Sequence, residues 1–215
     1  MGMDLPCHKH ACMIYFSDVD VVSKLAACGF LPLLPDLLGI DRDKIQIQYL
    51  ASLKSRLSRP NKKLSNDVFQ KHLEEFCEAH SIIRGAGNIT RQEELMHKGM
   101  DVGESILFAE AEATGGIVVT GDRRALTTYL RASTPAQRAK LKVVCWEQLL
   151  IRVYQLRGYH ALKEGCCAGI NSDKLLSLAF SSGLATQEGH ALAALESYLG
   201  GVRKHSDDIL ARFNS

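Results

Sequence analysis

The stretch that decides the predicted fold is residues 101–122, which read DVGESILFAEAEATGGIVVTGD. Its first half is rich in alanine and ends at Gly115-Gly116, a pair that typically stops a helix. Its second half, Ile117 to Thr120, is apolar and β-branched, which is the pattern of a buried strand. The stretch therefore predicts a helix that leads directly into a strand of a sheet.

Further strands and helices are predicted on both sides of this stretch. Thr90 with Glu93 has the spacing of a capping box and predicts one helix start. Strands that alternate with helices are typical of a parallel sheet. The short apolar or alternating runs that predict the other strands are Ile14–Phe16, Ile45–Tyr49, Ser81–Ile83 and Lys142–Cys145.

The chain after Trp146 has helical patterns and no further strand pattern. We interpret Gly158 to Ser215 as a helical extension, whose leucines, among them Leu175 and Leu195, need a surface to cover. We expect that surface to be the core of the same chain or a second copy of it. A homo-oligomer or a protein partner bound through these helices is therefore left open.

Composition excludes several classes of protein. The 215 residues are 46% hydrophobic and 23% charged, unlike a disordered chain, and a net charge of +2 is too small for nucleic-acid binding through bulk electrostatics. No apolar run approaches the roughly 20 residues of a membrane helix, and Met1 to Cys12 lacks the apolar stretch of a signal peptide. Seven cysteines, two of them adjacent, suit a reducing compartment. We expect a cytoplasmic protein without membrane association.

Acidic residues follow or precede the predicted strands in a way that gathers them. Asp18 and Asp20 follow the first strand, Asp122 follows the Ile117 strand, and Asp101 and Glu104 lie on the first turn of the helix before it. Because ligands bind beyond the carboxyl ends of parallel strands, we expect these acids to meet at one edge of the sheet. Positions three apart project from one face of a helix.

Clustered carboxylates repel each other and raise each other's pKa unless a cation neutralises them. Mg²⁺ and Mn²⁺ prefer oxygen ligands and are often held by few carboxylates, which leaves the ion open to a phosphodiester and to water. The acids therefore predict a divalent-metal site.

Two motifs carry a resemblance to a known family. Residues 14–22, IYFSDVDVV, resemble the opening strand of PIN domains, in which an aspartate ends the strand; Asp18 takes that place. Residues 101–122 are similar to the PIN-family run of acid, alanine-rich helix, glycine, apolar strand, threonine and final acid. The resemblance covers about two thirds of the chain in the sense of a motif-level hypothesis.

The resemblance implies a PIN-like three-layer α/β/α fold with a mainly parallel central sheet in residues 13–157, and helices in the extension 158–215. It implies a metal-dependent endonuclease, with RNA favoured as the substrate and a toxin, processing or defence role left open. Asp18, Glu104 and Asp122 would be catalytic and, with Asp101, would bind Mg²⁺ or Mn²⁺. The residues implied in supporting roles are Asp20 and Thr120 beside the metal, and Arg123, Arg124, Lys54 and Arg56 against nucleic acid.

One departure from the family pattern bears on activity. PIN nucleases usually place a glutamate on the helix after the second strand, whereas Leu50 to Leu57 contains no acid. Asp101 could supply that charge from one helical turn before Glu104. The alternative is a non-catalytic relative that binds nucleic acid or a protein.

Other interpretations of the same residues stay open at this stage. Asp20 and Asp101 could simply be helix N-caps. The Asp18-Val19-Asp20 pattern also fits the nucleophile motif of haloacid-dehalogenase-like phosphatases, in which the first aspartate is phosphorylated. The Cys7 to Cys12 segment holds two cysteines and two histidines, but in no familiar zinc-finger spacing.

Overall fold

The computed structural model of the protein describes residues 15–47, 67–79, 81–82, 88–206 and 208–213. Five short strands form one parallel sheet in the order β3-β2-β1-β4-β5. The strands are β1 (Tyr15–Ser17), β2 (Ile45–Ile47), β3 (Ser81–Ile82), β4 (Ile117–Thr120) and β5 (Lys142–Cys145).

Ten α-helices surround the strands in the described ranges. Those up to β5 are α1 (Val19–Ala27), α2 (Leu34–Leu38), α3 (Asp67–Ala79), α4 (Ile89–His97), α5 (Val102–Thr114), α6 (Arg123–Ala132) and α7 (Pro135–Arg138). After β5 come α8 (Trp146–Ala168), α9 (Lys174–Ala179) and α10 (Glu188–Ser206).

The predicted PIN-like three-layer α/β/α fold is wrong. Helices make up most of the described residues and the strands are short, so the fold is predominantly helical. The longest strands, β4 and β5, have four residues each, whereas α8 has 23 and α10 has 19. The strand patterns in the sequence indicate where strands lie. They do not indicate that the sheet occupies only a small part of the chain.

The element that the sequence describes best is the helix-to-strand passage at residues 101–122. Helix α5 ends at Gly115, which has a φ of 71° and so adopts the left-handed conformation that favours glycine. All four residues of β4 are buried. Their alternation sends Val118 into one apolar cluster and Val119 into another.

Residues after Gly158 share the core of the residues before it. Leu175, Leu176 and Leu195 belong to the same apolar cluster as Val21 and Leu25 of α1. The surface that the C-terminal leucines cover thus lies on this chain. The division at residues 157 and 158 falls inside α8, where Gly158 interrupts the helical backbone with a φ of 78°, and it stays a prediction.

The C-terminal segment also extends the sheet edge. The Val143 amide of β5 donates to the carbonyl of Ile209 (2.8 Å), and the Ala211 amide donates to the carbonyl of Val143 (2.7 Å). Residues 209–211 therefore lie parallel beside β5, which pairs an edge that would otherwise be open.

Candidate acidic site

Three aspartates cap the N-termini of three different helices. Asp18 caps α1 by accepting from the Asp20 amide (3.2 Å), and Asp101 caps α5 by accepting from the Glu104 amide (2.8 Å). Asp122 caps α6 by accepting from the amide of Arg124 (2.6 Å). The first amides of a helix lack a partner within it, and an aspartate side chain can supply one. The N-cap interpretation of Asp101 describes its geometry, whereas at α1 the cap is Asp18 rather than Asp20.

Thr120 connects Asp18 to Asp122. Strands β1 and β4 are neighbours in the sheet, so the residues that follow them emerge side by side. The Thr120 hydroxyl donates to Asp18 Oδ2 (3.4 Å) and accepts from the Asp122 amide (3.0 Å). Asp18 and Asp122 therefore lie at the same, carboxyl edge of the sheet.

Glu104 brings a further carboxyl group to this edge without acting as a cap. Burial, together with the charges of Asp122, Asp101 and Asp18, raises the pKa of Glu104 to about 8. Glu104 also lies within hydrogen-bonding reach of the Asp122 carboxylate. At neutral pH without metal, Glu104 is therefore mainly protonated, and its carboxyl group can donate to the Asp122 carboxylate.

The two aspartates that follow β1 and β4 respond differently to the same edge. Burial raises the pKa of Asp18 to about 6, and the charge of Asp20 acts in the same direction. Burial also acts to raise the pKa of Asp122, but hydrogen bonds from the amides of Ala125 and Arg124 outweigh it and lower that pKa. Asp122 is thus the acid that stays ionised, and Glu104 the one that holds the proton.

The oxygen donors of this cluster suit a hard divalent ion, but their spacing is not that of a formed metal site. Within the described ranges, no group of three or more His, Cys, Asp or Glu side chains is arranged to hold a metal ion. Capping directs the aspartate oxygens toward helix amides, which explains the difference. A carboxylate has about four lone-pair sites, so capping leaves acceptors available for a cation.

Lys24 lies beside the acids and was not predicted from the sequence. Its side chain is 10% exposed, and its ammonium group contacts Asp20 and Asp173 at 2.7 Å each. Gly121 makes room for it, since a β-carbon there would lie 3.1 Å from Lys24 Nζ. The Asp20-Lys24 spacing of four residues on a helix was the available signal. Asp20 is thus held in an ion pair beside the cluster.

The predicted nucleic-acid-binding arginines have different surroundings. Arg123 donates to Glu147 Oε1 (2.6 Å) and to the carbonyl of Tyr198 (3.1 Å), so its guanidinium group is directed at α8 and α10. Arg124 is 93% exposed at its side chain and lies 3.4 Å from Asp122 Oδ2. Lys54 and Arg56, together with the Cys7 to Cys12 segment and the Leu50 to Leu57 stretch, lie outside the described residues.

Comparison with protein-family models, with curated proteins and with solved structures finds no match for this chain. The resemblance to PIN domains therefore rests on residues 14–22 and 101–122 alone, and it stays a prediction.

Among the described residues, no single helix is long and apolar enough to cross a membrane. The bent pair Val19–Ala27 and Leu31–Leu38, at 118°, meets that criterion of length and composition only as a pair.

Proposed function

We propose that the acidic edge formed by Asp18, Asp101, Glu104 and Asp122 binds Mg²⁺ or Mn²⁺ and hydrolyses phosphodiester bonds in nucleic acid, with RNA favoured. The observation that supports this most is the gathering of acids at one edge of the sheet, where Thr120 contacts both Asp18 and Asp122 and where burial and the neighbouring acids raise the pKa of Glu104 to about 8. A carboxyl group whose pKa is raised by neighbouring acids marks a place where the chain supplies more negative charge than it neutralises, and there Glu104 holds a proton near neutral pH. A hard divalent cation would replace that proton.

The proposed roles follow from the position of each side chain. Glu104, Asp18 and Asp122 would hold the cation, and Asp101 would add charge from the rim while it caps α5. A bound divalent ion would polarise a phosphodiester and lower the pKa of a bound water. Thr120 would hold Asp18 and Asp122 at a fixed distance from each other, because its hydroxyl contacts both residues. Arg124, exposed beside Asp122, would be free to turn toward a phosphate.

The helix termini at this edge support an anionic substrate. Helices α1, α5 and α6 all begin at the acidic residues, and helix N-termini carry partial positive charge. The capping aspartates alone would repel a phosphate. Once a cation neutralises the carboxylates, the converging amide ends would favour a phosphate group at the same place.

A cleavage assay on labelled single-stranded RNA, with and without Mn²⁺, tests the proposal. We expect metal-dependent cleavage by the wild-type protein and at least a hundredfold loss in Asp122→Asn, which keeps the shape of the side chain but removes one charge. Asp41→Asn is the matched control, because Asp41 is exposed and makes no capping hydrogen bond with its side chain. Undiminished cleavage by Asp122→Asn would exclude a catalytic role for that acid.

A second candidate function is favoured by the metal-ligand geometry. Because the described residues hold no formed group of metal ligands and the aspartates act as caps, a non-catalytic module that binds nucleic acid or protein also fits. RNA binding without cleavage, in the presence of Mn²⁺, would favour it.

If the protein were instead a phosphatase, it should hydrolyse p-nitrophenyl phosphate and form a beryllofluoride adduct on Asp18. Neither of the other functions predicts these results.

A further inference from the structure

A groove of about 490 Å³ lies between α8, α10 and the C-terminal segment that pairs with β5, and none of its lining residues belongs to the acidic edge. Arg152 lines it from α8, Arg203 from α10, and Arg212 and Phe213 from the C-terminal segment. None of the described residues that line it is acidic. Its volume is in the range of sites for small organic ligands.

Two of these arginines have little to neutralise them. Arg203 forms no ion pair or hydrogen bond with any described residue, and Arg152 donates one hydrogen bond, to Gln155 Oε1 (3.2 Å). The Nε atom of Arg152 is enclosed and has no acceptor among the described residues. A guanidinium group has five N–H donors in a planar fork that matches phosphate oxygens, so both side chains keep most of their donors for an anion.

The rest of the lining is apolar and includes an aromatic ring. Phe213 lies with its ring 5.8 Å from the guanidinium carbon of Arg152, and Leu199 and Leu210 form part of the wall. An inorganic anion would use only the arginines. A ligand that joins a phosphate to a flat ring would use both parts of the groove, because bases stack on aromatic side chains and on guanidinium planes.

Helix electrostatics account for only one of the arginines. Arg203 lies with Lys204 and His205 in the last turn of α10, where cations interact favourably with the helix dipole. Arg152 lies in the second turn of α8, near the positive end of that helix, where the dipole gives a cation no advantage. The helix dipoles therefore do not explain why Arg152 and Arg203 line the same groove.

We propose that this groove binds a nucleotide, with its phosphate at Arg152 and Arg203 and its base against Phe213. The nucleotide is either free or one unit of a single strand. The groove contains no residue of the acidic edge, so nucleotide binding there does not depend on nuclease activity.

Isothermal titration calorimetry of the full-length protein in EDTA tests whether the groove binds a nucleotide. The ligands are AMP, adenosine, inorganic phosphate and a five-residue oligoadenylate. We expect AMP to bind more tightly than adenosine or phosphate. Arg203→Ala should weaken AMP about tenfold or more, because a charge-assisted contact is lost. Arg203 is exposed, so this variant should keep the wild-type melting temperature.

Matched variants separate the groove from general charge. Arg131→Ala removes an exposed arginine of α6 outside the groove and should leave AMP affinity unchanged, whereas Arg203→Lys should retain part of it. Asp122→Asn should bind AMP like the wild type even if it no longer cleaves RNA.

The ligand series also distinguishes the two sources of the nucleotide. Tighter binding of the oligoadenylate than of AMP indicates that the groove binds a single strand, whereas equal or weaker binding indicates that it binds a free nucleotide. No AMP binding at millimolar concentration, or unchanged affinity in both Arg203→Ala and Arg152→Ala, would overturn the inference.

Discussion

Glu104 and Glu112 lie about two turns apart on the same helix, α5. Hydrogen-bond donors surround Glu112, whereas other acids surround Glu104. Glu112 is 7% exposed and accepts hydrogen bonds from Arg91 Nε (3.0 Å) and from the Tyr129 hydroxyl (3.1 Å). Glu104 has acids as neighbours, and they help raise its pKa to about 8. Glu112 is thus paired with a cation inside the protein, whereas Glu104 is surrounded by acids and holds a proton at neutral pH.

The Arg91 network explains why Glu112 can be buried. Arg91 is 4% exposed and also donates to the Ser133 hydroxyl (2.6 Å) and to the carbonyl of Ala132 (3.3 Å), which ties α4 and α5 to the end of α6. Burial and the charge of Glu112 raise the pKa of Tyr129, so its hydroxyl stays a donor. The carboxylate thus accepts hydrogen bonds from side chains of two other helices, α4 and α6.

The largest expected effect is the loss of this buried cation. Arg91→Met should lower the free energy of unfolding by about 3–5 kcal/mol, because it leaves Glu112 buried without its charge partner. Urea denaturation followed by the fluorescence of Trp146, the single tryptophan, measures it. Arg131→Met, at an exposed position on α6, should change stability by less than about 0.5 kcal/mol. A loss below about 1 kcal/mol in Arg91→Met would show that Glu112 does not depend on this pair.

The second effect tests whether the edge around Glu104 accepts a cation. Mn²⁺ at about 100 times its dissociation constant should stabilise the wild-type fold by about 2.7 kcal/mol. Thermal melts with Mn²⁺ and with EDTA measure the shift, which Glu104→Gln should reduce and Asp41→Asn should retain. Identical melts of the wild-type protein in Mn²⁺ and EDTA would refute a metal site at this edge.

The third effect is the pH dependence of the metal-free protein. Because folding raises the pKa of Glu104 from 4.5 to about 8, the folded protein binds its proton more tightly than the unfolded chain does. This contribution is fully present below pH 4.5 and is lost as the pH rises toward 8, about 1–2 kcal/mol after allowance for solvent screening.

Denaturation in EDTA at pH 5 and pH 8 measures this loss. Glu104→Gln, which is neutral at both values, should reduce the difference in stability between them. Asp18 contributes in the same direction below pH 6, so the variant should not abolish the dependence completely. An equal pH dependence in Glu104→Gln and in the wild type would contradict the raised pKa.

The smallest effect separates the capping role of Asp101 from its charge. Asp101→Asn should change stability by less than about 0.5 kcal/mol, because asparagine caps helices as well as aspartate, whereas Asp101→Ala should cost about 1 kcal/mol. Asp101→Asn should also lower the pKa of Glu104, since one repelling charge is gone, and NMR titration of the Glu104 carboxyl measures this. An equal loss of stability in both variants would argue against the cap.

Sequence patterns were most informative where a local interaction decides the structure. The start of α5 at Asp101, its end at Gly115 and the strand at Ile117–Thr120 all lie where the sequence indicates them. The capping box predicted from Thr90 and Glu93 is wrong. Helix α4 is capped by Asn88, whose side chain accepts from the Arg91 amide (3.1 Å). Asn88 and Thr90 are two polar residues only two positions apart, either of which could cap a helix, and packing selects between them.

Sequence patterns were least informative about the fold class and about charge pairing. The three-layer prediction gave weight to the number of strand patterns and not to their length. Lys24 was overlooked because one of its two partners, Asp173, lies far along the chain. The groove at Arg152 and Arg203 joins residues of two helices and the C-terminus, so no local motif announces it.

Local sequence alone thus specifies the acids at the ends of β1 and β4, the Asp101 cap of α5 and the glycine that ends this helix, because hydrogen bonds within a few residues favour those conformations. Only the tertiary structure decides which of these acids meets a cation. Glu112 finds Arg91 across 21 positions of sequence, and Lys24 finds Asp173, because the packing of whole helices brings them together. Asp101 lies near Glu104 through the local cap, but Asp18 and Asp122 reach it only through the packing of α5 against the sheet, and that meeting is what makes the edge a candidate site.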